Sequence, residues 1–438
     1  MRASACVSDR NTIGSRAMKP FLRPASLAFA LMVAGGGAGV HVAAPASPAK
    51  PASTCKAEAG HSAAFGGRRT FFLDPRILEA LKRDAASDPV LADAKAALVS
   101  RAEAALARGP YAVTQKRVLP PSGKLQDYLS IAPYWWPDPA KKNGLPYIRK
   151  DGEINPDRDS PKYDLARLEA MRTDIETLGF AYYFTDDARY AAQAAKLLRV
   201  WFIDSKTRMN PHLNYAQAVP GREEGRAEGI IDTRRLQGVV EAIGLIGPAQ
   251  VLNVDEQARL ERWFGDYSDW LLTSRLGKEE GAAANNHALW YDSQVAQFAL
   301  FARRPEVAKR IATNFVARRI TPQFADNGSL PKELARTRSL HYSVFALAAA
   351  YDVADLGQCV GVDIWDAGDA KGRGLRKATD FLRPYAGQID RWPYPELRPD
   401  GEPLNDLLVR AAAQWPDGGY PADAKRASVR RYFKTRAM

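Results

Sequence analysis

Between residues 74 and 386, apolar side chains recur three and four positions apart in one stretch after another. The clearest are "DPRILEALKRDAASDPVLADAKAALVSRAEAAL" (74–106), "DARYAAQAAKLLRVWF" (187–202), "DEQARLERWFGDYSDWLLTSRL" (255–276), "HALWYDSQVAQFALFA" (287–302) and "SLHYSVFALAAAYDVADL" (339–356). Turn signals such as "TDD", "GPA", "RRP" and "DNGSLP" separate them. Period-two alternation is almost absent. Such a chain buries its apolar stripes by packing helix on helix, as a bundle, a solenoid or a toroid. No strict repeat recurs, which argues against a regular solenoid. Composition does not break after residue 67, so residues 67–438 read as one all-α domain.

The N-terminal part reads differently. Residues 1–48 contain "MKPFLRPASLAFALMVAGGGAGVHVAAPASPA", with Met18 as the expected start, Lys19 and Arg23 before an apolar run, and small residues after it. This is the pattern of a secretory signal. The run is short and broken by glycine, and no other segment is apolar enough to span a bilayer. Export to the periplasm, or secretion, is expected. Residues 49–66, rich in Pro, Ala, Ser and Gly, read as a flexible lead-in.

The whole chain carries a net charge of +12. Its first 50 residues hold Arg2, Arg10, Arg16, Lys19, Arg23 and Lys50 against Asp9, which is +5, so the remainder keeps 12 − 5 = +7. A basic exported protein suits an acidic partner. Nucleic acid is not expected, because no zinc-finger, RNP or helix-turn-helix signature appears. An acidic polysaccharide fits the compartment. Beyond the leader only Cys55 and Cys359 remain. They are too few for a zinc ribbon, and there is no HExxH pattern, so neither a metal nor another cofactor is expected. An oxidising compartment would let the two pair, but sequence does not give their distance.

Two loaded stretches interrupt the helices. Residues 127–157 place Tyr134, Trp135 and Trp136 in a row, flat rings suited to the apolar faces of sugars. Residues 209–236 carry polar and basic groups between proline and glycine. Two helical stretches add chemistry. In "AANNHALWY" (283–291), His287 lies near a helix start and shares a face with Tyr291 and Gln294. The electropositive helix N-terminus is expected to keep its imidazole neutral and to attract an anion. In "LPKELARTRSLHYSVFAL" (330–347), Arg336, Arg338, His341 and Tyr342 gather, and nearby arginines are expected to lower a tyrosine's pKa.

Taken in order, "DYLSIAPYWWPDP", "NPHLNYAQAVPGR", "NNHALWY" and "ELARTRSLHYSVFAL" resemble the alginate lyase group of polysaccharide lyases. The likeness covers most of residues 120–350. It implies an α/α toroid that cleaves uronate polymers by β-elimination, without a metal or redox cofactor. It implies Asn286 and Arg336 as carboxylate neutralisers, His287 as base or neutraliser, and Tyr342 as acid. Arg336 and Tyr342 stand one residue closer than in the better-known alginate lyases. That spacing resembles polysaccharide lyase family thirty-eight, which has glucuronan-active as well as alginate-active members.

On an unbroken helix Arg338, not Arg336, shares Tyr342's face. If the helix begins near Ser339, Arg336 can reach in from the preceding loop. The expectation is Arg336 for catalysis and Arg338 for binding. Tyr134, Trp135, Trp136, Asn214, Gln217, Arg222, Asn285, Tyr291 and His341 are the other expected substrate contacts. Two competing classes are a uronate-specific glycoside hydrolase of helical-toroid fold and a non-catalytic polysaccharide binder. The first needs two carboxylates about 5–10 Å apart, which no motif supplies. The second has no need of an Asn-His pair together with a tyrosine.

Overall fold

Asp88 splits the first long periodic stretch in two. Its carboxylate accepts from the N–H groups of Val90 and Leu91, and Pro89 takes the first helical position. Helix α1 (Pro75–Asp84) therefore ends before α2 (Pro89–Leu106) begins. Ser274 divides 255–276 in the same way, accepting from Gly277 N–H between α6 (Val254–Thr273) and α7 (Arg275–Ala282). The remaining long helices are α3 (Leu165–Thr185), α4 (Ala188–Leu198), α5 (Leu236–Ile246), α8 (Asn286–Phe301) and α9 (Pro305–Phe315). After the short α10 (Thr321–Gln323) and α11 (Pro331–Leu334) come α12 (Ser339–Cys359), α13 (Leu375–Leu382), α14 (Glu402–Gln414) and α15 (Ala424–Tyr432).

The computed structural model describes Lys50 and residues 52–433. They fall within a unit spanning Ser47–Met438. The other unit, Met1–Ala46, and with it the expected leader, lies outside the described residues. No helix among the described residues is long and apolar enough to cross a membrane.

The helices form two layers. The inner layer runs α3, α5, α8, α12, α14, each packed on the next. Helix α8 is buried almost all round, and α3, α5 and α12 are buried over most of their lengths. A helix with apolar groups on every side belongs inside. The outer helices α2 and α4 pack on α3, α6 on α8, α9 on α8 and α12, and α13 on α12. Helices α4, α9 and α13 bury one apolar stripe each. The result is the α/α toroid expected, an incomplete ring of helix hairpins and not a closed barrel.

Three loop regions depart from the sequence reading. Residues 52–66 are not a loose lead-in: Cys55 and Phe65 are buried and Cys55 is bonded to Cys359 at the end of α12. Small-residue composition hid the anchoring, because the partner cysteine is 304 residues away. The two loaded stretches also hold short strands. Strand β1 (Leu129–Ile131) pairs in parallel with β4 (Tyr215–Ala218), matching Leu129 with Tyr215 and Ile131 with Ala218. Strand β2 (Trp135–Trp136) pairs antiparallel with β3 (Ile148–Arg149). Strands this short give no periodic signal of their own.

Candidate active site

A cavity of about 1480 Å³ runs along the inner face of α12. His341, Tyr342, Phe345, Ala348, Asp352 and Asp355 line it at helical spacing. From Tyr342 to Asp355 is 13 residues, about 20 Å of helix rise. Helix α8 supplies the facing wall with Asn286, His287 and Trp290. Tyr134, Trp135 and Gln217 come from the paired loops.

Asn285 caps α8: its side-chain oxygen accepts from His287 N–H at 3.2 Å. The cap puts His287 in the first turn. Its Nδ1 lies 2.7 Å from Glu280 Oε1, on the last turn of α7. Glu280 is only 2% exposed, so its carboxylate has little water to compete with the imidazole. Burial pushes the His287 pKa down, but the charge and hydrogen bond of Glu280 outweigh it, and the net shift is upward. The helix N-terminus therefore does not settle the imidazole's charge, as the sequence suggested; a carboxylate seven residues upstream does. Burial meanwhile lifts the Glu280 carboxyl, with His287 opposing it. With Nδ1 held by Glu280, Nε2 is the nitrogen left for a substrate.

Asn286 is held by Glu333 on α11. Its backbone N–H donates to Oε1 at 2.7 Å and its Nδ2 to Oε2 at 2.8 Å. Glu333 is itself buried, and desolvation raises its pKa. The Asn286 Oδ1 is buried without a hydrogen-bond partner. Glu333 thus fixes the amide and takes one of its two Nδ2 hydrogens, and the second Nδ2 hydrogen is the donor the side chain can offer.

Helix α12 begins at Ser339, the condition under which Arg336 reaches in from the preceding turn. The Arg336 guanidinium stacks 3.9 Å from the centroid of the Tyr342 ring. Tyr342 Oη is 2.9 Å from Tyr134 Oη. Burial, together with the Tyr134 hydrogen bond, raises the Tyr342 pKa despite the opposing effect of Arg336. This reverses the expectation that nearby arginines would lower it: desolvation of the phenolate outweighs the cation. A phenol that keeps its proton is suited to donating one.

The remaining candidates divide. Gln217, with its backbone at φ 48, is held in this unusual conformation by two bonds: Ser130 Oγ accepts from its N–H at 2.8 Å, and its Nε2 donates to Asp232 at 2.8 Å. His341 stacks on Phe345 with centroids 5.8 Å apart, and burial with Arg338 and Arg234 lowers its pKa to about 4. Five candidates do not line the cavity. Tyr291 is buried and donates to the Leu271 carbonyl. Trp136 donates to the Glu153 carbonyl. Asn214 accepts from Trp270. Arg222 donates to the Tyr147 carbonyl and stacks over Trp135. Arg338 lies 3.7 Å from Glu396. For Tyr291 the reason is rotation: an i, i+4 partner of His287 points partly past the cavity and under α7.

Sequence reasoning missed Glu280 and Glu333. Glu333 lies inside the quoted "ELAR" stretch, but its role depends on a partner 47 residues away. Among the described residues no group of three or more His, Cys, Asp or Glu side chains is arranged to hold a metal ion.

The alginate lyase family model matches residues 112–392. An alginate lyase from Bacteroides ovatus is similar in structure, with 37% identity, a TM-score of 0.78, and coverage of 83% of this chain and 96% of that one. Alginate lyase A1-III from Sphingomonas species A1 shares the fold at 16% identity and TM-score 0.51, over 80% of this chain and 93% of that one. A histidine-to-alanine variant of the A1-III enzyme, complexed with a tetrasaccharide, matches with TM-score 0.50 at the same identity and coverage. No curated protein matches the chain in sequence. With a family model spanning both the amide–imidazole pair and the arginine–tyrosine pair, and a relative this similar over nearly its whole length, the chain belongs to the alginate lyase family and is a polysaccharide lyase.

Proposed function

We propose that this lyase acts on a uronate-containing anionic polysaccharide, with alginate as the first substrate and glucuronan as the second, and that it is exported to work outside the cytoplasm. The similar structures are of alginate lyases, which supports the substrate class. The Cys55–Cys359 bond supports an oxidising compartment.

One observation carries the mechanism: four side chains of different chemistry, Asn286, His287, Arg336 and Tyr342, line a single cavity. Removing a uronate's C5 proton builds a second negative charge on an already anionic carboxylate. The Asn286 amide and the Arg336 guanidinium face that charge. Preorganised donors of this kind lower a barrier by about 2.7–4 kcal/mol each. His287, oriented by Glu280 through Nδ1, takes the C5 proton at Nε2. Tyr342 gives its proton to the O4 leaving group. The C4–O4 bond breaks, a C4=C5 double bond forms, and the phenolate is reprotonated from solvent. Where C5–H and O4 lie on the same side of the ring, a single tyrosine performs both transfers only from its phenolate, a form that burial of Tyr342 disfavours.

The test is to incubate the protein with alginate, glucuronan and hyaluronan and follow the ultraviolet absorbance of the unsaturated uronate. Absorbance rising on alginate or glucuronan is the expected result. New reducing ends without absorbance would overturn the elimination in favour of hydrolysis, and binding without either would leave a binder.

A further inference from the structure

Trp290 lies four residues after Asn286 on α8, and Phe345 three after Tyr342 on α12. Each is one helical turn, about 5.4 Å, beyond its catalytic neighbour. Their ring centroids are 4.8 Å apart. The Arg234 guanidinium covers both, 5.9 Å from the Trp290 centroid and 5.2 Å from that of Phe345. All three residues line the cavity. Together they form a layer directly beyond the reacting groups.

That layer is electrically incomplete. Arg234 donates from Nη1 to the Ile231 carbonyl at 3.1 Å. Among the described residues no carboxylate lies within ion-pair distance of it, whereas its neighbour Arg235 pairs with Glu169 at 2.7 Å. Trp290 Nε1 is buried and has no hydrogen-bond partner. Arg234 is half-buried along the cavity with no anion among the described residues within ion-pair distance, and an indole N–H buried without a partner is costly until an acceptor meets it. Burial, with the like charge of Arg235, lowers the Arg234 pKa to about 9, which leaves it charged at neutral pH.

We propose that Arg234 and the Trp290 indole N–H form a second carboxylate-binding subsite, which takes the uronate next to the one being cleaved. The inference rests on the lyase reading above and extends it. One turn of helix is comparable with the length of one sugar ring, so adjacent uronates of one chain would meet the two layers in succession. The Trp290 and Phe345 rings supply the apolar side of the subsite. Arg234 supplies the charge, with several donors in a planar fork that suits a carboxylate.

The test uses the full chain carrying Tyr342→Phe, so that substrate is bound and not consumed. Calorimetry compares this parent with added Arg234→Met and Arg234→Lys, using a uronate tetrasaccharide and its carboxyl-reduced, neutral counterpart. Arg234→Met should weaken the uronate tetrasaccharide about 10–100-fold, as expected for a lost charge-assisted hydrogen bond. It should leave the neutral one within about twofold, and Arg234→Lys should recover part of the loss. Trp290→Phe, which removes the N–H and keeps a ring, should weaken the uronate ligand by a smaller factor. Equal weakening of both ligands would make Arg234 a wall residue and overturn the proposal, as would unchanged binding of both. The lyase reading fails separately, if the unsubstituted protein forms no unsaturated product.

Discussion

Helix α12 carries two polar clusters on one face, and they are built in opposite ways. At its far end Arg410 bridges Asp352 at 2.8 Å and Asp355 at 2.7 Å, and its guanidinium also lies 5.3 Å from the Tyr351 ring centroid. Burial raises the Asp352 pKa. Arg410 is shifted upward although burial opposes it, because both carboxylates face it. The charges close on one another. At the near end Arg336 has its closest carboxylate, Asp151, at 3.8 Å, and Asn286 gives Glu333 only one of its two Nδ2 hydrogens. Around them, buried carboxylates grip one edge of each working side chain: Glu333 holds Asn286 and Glu280 holds His287. A closed cluster has its charges matched within the protein and costs stability when it is broken. A cluster held at one edge and open at the other is prepared for a ligand. Charge content does not separate the two; hydrogen-bond saturation does.

The contrast breaks most readily at Tyr342. Tyr342→Phe should cut kcat by about 10²–10⁴-fold, the usual range for a lost acid–base group, with the melting temperature nearly unchanged. A variant within tenfold of the parent in the unsaturated-uronate assay would remove Tyr342 from the chemistry. The mirror experiment is Arg410→Met. It strands Asp352 and Asp355 beside each other, and denaturant unfolding should show a loss of about 3 kcal/mol, the lower end of the range for a broken buried pair. The kcat of whatever remains folded should stay within about twofold; a large fall in kcat would mean that the far cluster serves the reaction.

Asn286→Ala should cost about 10²–10³-fold in kcat, because the lost amide faces charge that develops in the transition state. A rise in KM alone would reassign it to ground-state binding. The smallest effect expected is at Glu280. A base must be unprotonated, and the Glu280 charge raises the His287 pKa, so the acidic limb of the kcat/KM–pH profile should lie above 6.5, the ordinary histidine value. Glu280→Gln removes that charge and should move the limb to lower pH. A limb that stays in place, or moves upward, would exclude His287 as the group that produces it.

Much of this site was legible beforehand because its residues sit in local patterns. Asn286 and His287 follow a cap residue, and Tyr342 lies in the first turn of a strongly periodic helix. The pKa directions were not legible, since each reversal comes from burial or from a partner on another element. Arg234 stood in the loaded stretch 209–236, yet nothing local marks it as lacking a carboxylate partner while Arg235 beside it has one.

By itself, the sequence determined the all-helical architecture and the alphabet of the chemistry, because periodicity, caps and residue type act within a few residues of chain. Tertiary structure alone decided which carboxylates hold the amide and the imidazole, which aromatic residues face the cavity, and which cations are left unpaired. Those outcomes depend on desolvation and on contacts between elements tens to hundreds of residues apart, as with Glu333 and Asn286 or Cys55 and Cys359.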